Sequence, residues 1–393
     1  PDYESEGFDR THMQLPANQL LLIEALKPVH AKTVVVLQNG APVELPFRDS
    51  VSAILETYLG GQAGASALAD ILYGLVNPSG KLAESFPVAM TDVPSNSWFP
   101  GDYRQSQYRE AIWVGYRYFD SAGKPVAYPF GHGLSYTSFE YSDLKVSKTE
   151  SEFKTNSIVL VSFTITNSGK RAGAEAAQVY VGQQNPSVPR PAKELKGYTK
   201  VLLEARESKL VSVSLDFRSF AFWSTHENNW LAESDEFLIQ VGASVSDIRL
   251  SETLRLDTGH AIGQRDPGLS HYFEPSKLDF DDGTFIQLLG HDIPSALPTH
   301  PFQMNSTLQE IQTNWLGRII HKTAMKQITK MIGGDSPNES ELMLVQSIVS
   351  EMPIRSFISM SAGKVGEGVV GRIIHAMNND WLKVISGGEV RSE

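Results

Sequence analysis

Close to its start the chain sets carboxylates on either side of a glycine–aromatic pair, Glu4-Ser5-Glu6-Gly7-Phe8-Asp9-Arg10, with Leu15-Pro16 downstream. A carboxyl group that holds its proton can hand it to a leaving oxygen and, once ionised, take one from water. Its pKa must be raised for this, by burial or by a second carboxylate nearby. Taken as residue types only, an acidic residue in such a place is usually a solvated surface group. Asp9 and Arg10 read first as an ion pair that orders a loop, with ligand binding as the rival.

Other chemistries find little support. The absence of cysteine removes disulfides, thiolate metal sites and a cysteine nucleophile together. The ten histidines show no metal-ligand spacing, and His132, inside Phe130-Gly131-His132-Gly133, reads as a structural histidine at a turn. Gly363-Lys364-Val365-Gly366 lacks the arrangement of a phosphate loop. No metal and no cofactor is expected. A formal net charge of −11 disfavours nucleic acid and anionic membranes as partners. No apolar run approaches the roughly 18 residues of a membrane span. The chain opens on Pro1-Asp2-Tyr3, so a targeting signal would lie upstream, and cytoplasmic and secreted locations both stay open.

The elements that must position these residues change character along the chain. Residues 1 to about 138 alternate helix and strand patterns. Pro16 opens a helix through Leu26, Thr33–Gln38 is a β-branched run of a strand covered on both faces, and Ala65–Leu75 puts Leu68, Ile71, Leu72 and Leu75 on one helix face. Asn39-Gly40 marks a loop at the carboxyl end of a strand, and Asn77-Pro78-Ser79-Gly80 is turn chemistry. A mostly parallel sheet follows from the alternation. Residues 139–257 hold short alternating strands, Ile158–Ile165, Ala176–Val181, Leu210–Leu215 and Glu236–Val241, the pattern of an antiparallel β-sandwich. Residues 258–305 read as loop, and helices are expected over Ser306–Met331, Glu339–Met352 and Val369–Met377.

Three stretches, in order, resemble glycoside hydrolase family 3. Glu4 to Arg10 with Leu15-Pro16 is similar to the family's acid/base loop. Gly61-Gln62-Ala63-Gly64 through Asn77-Pro78-Ser79-Gly80-Lys81-Leu82 and Phe86-Pro87 is similar to the segment closing its α/β sandwich. Val114-Gly115-Tyr116-Arg117-Tyr118-Phe119 and Pro129-Phe130-Gly131-His132-Gly133-Leu134-Ser135-Tyr136 resemble the link into its fibronectin type III-like domain, where Val188-Pro189-Arg190-Pro191 and Leu195-Lys196-Gly197-Tyr198 are also family-like. The resemblance covers roughly residues 1–255. Tyr58 stands where the family often has Trp, and Ala83 where Pro is usual; both read as packing positions.

The resemblance implies a partial α/β sandwich domain over 1–138, a fibronectin type III-like β-sandwich over 139–257, and a loop with a helical C-terminal extension over 258–393. It implies that Glu6 is the catalytic acid/base of a retaining β-glycosidase and that Phe8 lines the leaving-group site, although Phe8 fits a plain core position equally well. Glu4 is the alternative acid, without the glycine–aromatic sequel. The family's Asp nucleophile belongs to a (β/α)₈ barrel with a Ser-Asp-Trp-like stretch, and neither occurs in this sequence. The implied partners are a β-glycoside, most directly a β-glucoside, and the barrel-bearing N-terminal portion of the enzyme. A β-xylosidase, or a non-catalytic carbohydrate-binding or docking module, are the alternatives. Trp98, Phe99, Tyr103 and Tyr108 suit sugar stacking but suit packing better. Trp315, Ile319 and Trp381 are large apolar groups that a homo-oligomer contact would cover.

Overall fold

In the computed structural model of the chain the described residues are 9–101, 105–295, 299–334, 337–360 and 365–386. They form two compact units. One comprises Met13–Trp98 and Tyr108–Ile293, the other Pro1–His12, Phe99–Gln107 and Pro294–Glu393.

The first unit begins with α1 (Ala17–Ala25), entered from Pro16, whose φ of −51° suits a helix start. Strands β1 (Val34–Leu37) and β2 (Ala53–Glu56) pair in parallel, Val34 opposite Ala53 and Leu37 opposite Glu56. Helix α2 (Gly64–Leu72) follows, then β3 (Phe86–Pro87), α3 (Tyr116–Ser121) and β4 (Val126–Tyr128), the last pairing antiparallel with β3. Leu37, Val43, Leu45, Phe47 and Phe86 form the core here, with Leu15, Ile23, Ile54 and Tyr58 packed against it.

The expectation that Thr33–Gln38 is covered on both faces is corrected. Val34 and Val36 are 45% and 38% exposed, while Leu37 is buried. The helix faces behave alike: α1 and α2 contain no buried residue, and Leu72 and Leu75 are exposed. The apolar pattern belongs to interior elements, but the described residues supply a cover for one side only.

The sandwich is built from β5 (Phe139–Lys148), β6 (Val159–Asn167), β7 (Gly173–Gln183), β8 (Glu194–Leu203), β9 (Ser208–Leu215), β10 (Phe222–Ser224), β11 (Asn229–Leu231), β12 (Glu236–Gly242) and β13 (Ile248–Arg255). One sheet runs β5-β6-β9, the other β13-β12-β7-β8, and β10-β11 is a separate hairpin. Alternation does the folding: Val159, Val161, Phe163 and Ile165 of β6 are all buried in one core with Val179, Phe237, Ile239 and Val241 of the other sheet.

Buried and half-buried polar groups hold the sandwich to the α/β part. Lys81 Nζ reaches Glu175 Oε1 at 3.2 Å and the Gly133 carbonyl at 3.2 Å. Gln178 Nε2 donates to the Gly131 carbonyl at 3.1 Å, and Lys193 Nζ meets Asp120 Oδ1 at 2.9 Å.

The reading of 258–305 as loop is overturned in part. Pro267–Phe273 and Pro275–Lys277 are short 3₁₀ turns, and α4 (Asp282–Leu289) is capped by Asp281, which accepts the Thr284 N–H at 2.7 Å. Proline, glycine and aspartate are residues of helix starts as well as of loops. What fixes this stretch is burial: Tyr272 and Phe280 enter a core with Trp113, Tyr118 and Phe119.

The second unit carries α5 (Leu308–Ile311), α6 (Trp315–Gly333), α7 (Glu339–Glu351), α8 (Ser356–Met360), α9 (Glu367–Met377) and α10 (Trp381–Ser386) around Phe302, Leu308, Ile311, Ile328, Val345, Val349, Val370 and Ile374. The single helix expected over Ser306–Met331 is two helices. Thr307 and Glu310 form a capping box for α5, and Asn314 restarts the chain as the N-cap of α6. Gly317 lets the turns close up, because a side-chain carbon there would collide with the Ile311 carbonyl.

Candidate active site

Glu6, Phe8 and Glu4 lie outside the described residues, as does Tyr103. Just after them Asp9 is exposed and Arg10 half-buried. The chain is anchored at Met13, whose buried carbonyl accepts the Glu44 N–H at 2.8 Å. Glu44 Oε1 in turn accepts the Met90 N–H at 3.0 Å, and Leu15 enters the α/β core. Met13 is thus tied through Glu44 to the stretch that follows β3.

At the carboxyl ends of β1 and β2, the usual place for function in a parallel sheet, a group of polar side chains stands out. Asn39 is buried and its Nδ2 donates to the Ala41 carbonyl at 2.8 Å. Glu56 Oε1 accepts the Tyr58 N–H at 2.8 Å, and Thr57 Oγ1 donates to the Leu37 carbonyl at 2.6 Å. Among the described residues, Asn39 Oδ1 and Glu56 Oε2 are enclosed with no hydrogen-bond partner. Burial pushes the Glu56 carboxyl above its usual range, overriding the Tyr58 N–H and the Asn39 amide, with Glu84 adding a like charge. Burial and then the charges of Glu84 and Glu56 push the Tyr58 phenol up. Tyr58 also carries a φ of 43°, a strained value for a bulky residue.

Asn39-Gly40 was legible as a strand-end loop, and Tyr58 as a packing position, which it is. The pairing of Asn39 with Glu56 was not legible, because the parallel register of β1 and β2, with Leu37 opposite Glu56, is what brings them together. The one available signal was a carboxylate closing a strand.

The aromatic stretch divides. Trp98 lies under the Arg109 guanidinium, 3.4 Å from ring centroid to Cζ, and Arg109 is itself buried, donating to the Phe280 carbonyl at 2.9 Å and pairing with Asp282 at 2.6 Å. That is packing. Phe99 and Tyr108 are exposed. His132 stacks on Tyr128 with centroids 5.1 Å apart, and burial, then Lys81, holds its pKa below the usual imidazole value, as befits a structural residue. Among the described residues no group of three or more His, Asp and Glu side chains is arranged to hold a metal ion.

Residues 1–136 match the glycosyl hydrolase family 3 C-terminal domain, and residues 175–245 match the fibronectin type III-like domain. The chain belongs to glycosyl hydrolase family 3, of which it carries the C-terminal portion. It is 41% identical over 378 residues to a thermostable β-glucosidase B of Acetivibrio thermocellus, which spans 96% of this chain and 45% of that protein. An exo-α-(1→6)-L-arabinopyranosidase of Bifidobacterium breve is 45% identical over 255 residues, 65% of this chain and 33% of the relative. Among solved structures, the family 3 β-glucosidase of Bifidobacterium adolescentis superposes with a TM-score of 0.63 at 40% identity, covering 70% of this chain and 41% of that one. The chain therefore spans less than half the length of these relatives. The first of them matches through the helical region as well, which the arabinopyranosidase match is too short to cover in full.

Proposed function

We propose that this chain is the acid/base-bearing part of a retaining β-glycosidase, most directly a β-glucosidase, with Glu6 as the acid/base and Phe8 against the leaving group. The carrying observation is the family match over residues 1–136, which contains the Glu6-Gly7-Phe8 loop, together with the 41% identity to a β-glucosidase along nearly the whole chain.

In retaining hydrolysis two carboxyl groups stand about 5–5.5 Å apart. Glu6 would first donate its proton to the glycosidic oxygen and, in the second step, take a proton from the attacking water. In this reading Gly7 would leave room for the segment to enter a cleft, and Phe8 would offer an apolar wall beside the carboxyl. The nucleophilic Asp would come from the barrel-bearing portion, which the relatives' greater length has room for. The uncovered apolar sides of α1, α2 and β1 are suited to receive that portion. The domain limits 1–138, 139–257 and 258–393 belong to the same proposal.

The glycone is assigned to the barrel. A β-glucosidase and an arabinopyranosidase match this chain at 41% and 45% identity, so their shared C-terminal part does not separate their named activities.

The test pairs the chain with a co-expressed barrel portion and follows aryl β-glucoside hydrolysis. The chain alone should be inert and the pair active. Glu6→Ala in the pair should slow a poor leaving group by about 10²–10⁴-fold and an activated one far less. Normal rates on every leaving group would move the acid role to Glu4. Hydrolysis by the chain alone would sink the split-site proposal.

A further inference from the structure

A groove of about 700 Å³ runs between the 111–117 segment and the sandwich. Glu194, the first residue of β8, lines it, and three cations converge on that one carboxylate: Arg117 Nε at 3.4 Å, Arg190 Nη2 at 3.3 Å and Lys196 Nζ at 3.2 Å. Arg190 is also held by Gln183 Oε1 and the Phe220 carbonyl, both at 2.9 Å, so its charge is fixed in place. Arg218, which also lines the groove, lies over the Trp230 ring at 4.1 Å. The remaining acid, Asp216, is engaged as a cap, accepting the Ser219 N–H and hydroxyl at 3.0 Å each.

The charge count is lopsided. Arg117, Arg190, Lys196 and Arg218 face Glu194 and Asp216, leaving a local excess of two positive charges on a chain whose net charge is −11. The excess is felt by Lys196. Burial lowers its pKa, Glu194 pulls it back, and Arg190 and Arg117 push it down again, leaving it below the ordinary ammonium value. Glu194 experiences the converse: burial raises it, but Lys196, Arg190 and Arg117 outweigh that and hold it below the usual carboxyl range. Here partly desolvated cations outnumber acids around an open volume of ligand size.

We infer that this groove binds a small anionic ligand, its carboxylate or phosphate group received by Arg117 and Lys196 and its body lying against Ile112, Pro191 and Phe222. Arginine suits the fork of either anion, and lysine adds a point charge. The inference does not depend on the hydrolase proposal.

The experiment is calorimetric titration of the 393-residue chain with inorganic phosphate, glucuronate and glucose, repeated at high salt. Saturable binding of phosphate or glucuronate is expected at least about tenfold tighter than that of glucose, weakening as salt rises. Glucuronate alone would assign an acidic sugar, phosphate alone a phosphorylated ligand, and both support the site. Lys196→Met and Arg117→Gln should each weaken the anion by about tenfold. Should Lys196→Met fail to fold, Arg117→Gln decides, because that side chain is 44% exposed. No saturable anion binding, equal binding of glucose, or anion binding untouched by Arg117→Gln would overturn the inference.

Discussion

Glu56 ends a strand with one oxygen bonded to a backbone N–H and the other enclosed with no partner among the described residues. Its carboxyl is raised above the ordinary value of 4.5. A raised acid favours the folded state most when protonated, so its contribution is full below the ordinary carboxyl range and is lost as pH climbs through the raised pKa. Glu56→Gln keeps an oxygen for the Tyr58 N–H and puts an N–H₂ where the enclosed oxygen was. The variant should therefore melt higher than the parent at pH 7–8, with the gap shrinking toward about pH 4. Melting curves for both proteins across that interval check it, and parallel curves would mean that Glu56 is not the group responsible. Glu6 follows a different logic. Its proposed proton traffic belongs to the leaving group, so Glu6→Gln should leave the melting temperature of the chain nearly unchanged while slowing hydrolysis in the reconstituted pair. A large drop in melting temperature would make Glu6 a structural residue instead.

The elements show which patterns carry their meaning locally. The sandwich strands were legible because a two-residue alternation such as Val159-x-Val161-x-Phe163-x-Ile165 has one physical interpretation once turns bracket it. The α7 and α9 helices were legible to within two residues for the same reason at a longer period. The break between α5 and α6 was not. Apolar spacing from Leu308 to Met331 continues across it, and the stop depends on Asn314 turning its side chain back to the Leu316 N–H at 2.8 Å. The 3₁₀ turns near Pro267 and Pro275 hid in loop-like composition, since the partners that hold them, Trp113 and Arg109, lie over 150 residues earlier. The α5–α6 corner yields a direct test. Gly317→Ala should destabilise by about 1–3 kcal/mol through overpacking against the Ile311 carbonyl, and Asn314→Ala by about 1 kcal/mol through loss of the cap. Denaturant unfolding measures both; a neutral Gly317→Ala would show that the corner yields.

At the scale of the whole molecule, the apolar cover is incomplete on one side of the α/β part. Leu21 and Leu22 of α1 are 71% and 60% exposed, and Tyr73 and Leu75 beyond α2 more so. Family membership and the general architecture could be inferred from sequence motifs in their order, but this open side could not, because an interior pattern looks the same whether or not its cover is present. If the barrel portion docks here as proposed, the chain alone should bind a hydrophobic dye such as ANS, and co-expression with that portion should abolish most of the signal. Dye binding that persists in the active pair would place the docking surface elsewhere. Leu22→Ser with Leu75→Ser should reduce recovery of the pair while leaving the melting temperature of the chain alone little changed.

The polar seam between the α/β part and the sandwich bears on how such proteins could be reassembled from parts. Glu175, Gln178 and Lys193 of the sandwich are committed to Lys81, the Gly131 carbonyl and Asp120. A sandwich transplanted from an unrelated protein would arrive with the same strands but without these acceptors and donors, and would leave half-buried Lys81 without its carboxylate partner. The module is therefore not a free cassette: any exchange that preserved a working joint would have to carry the 81–133 stretch along with it, so that the unit of inheritance is larger than the fold.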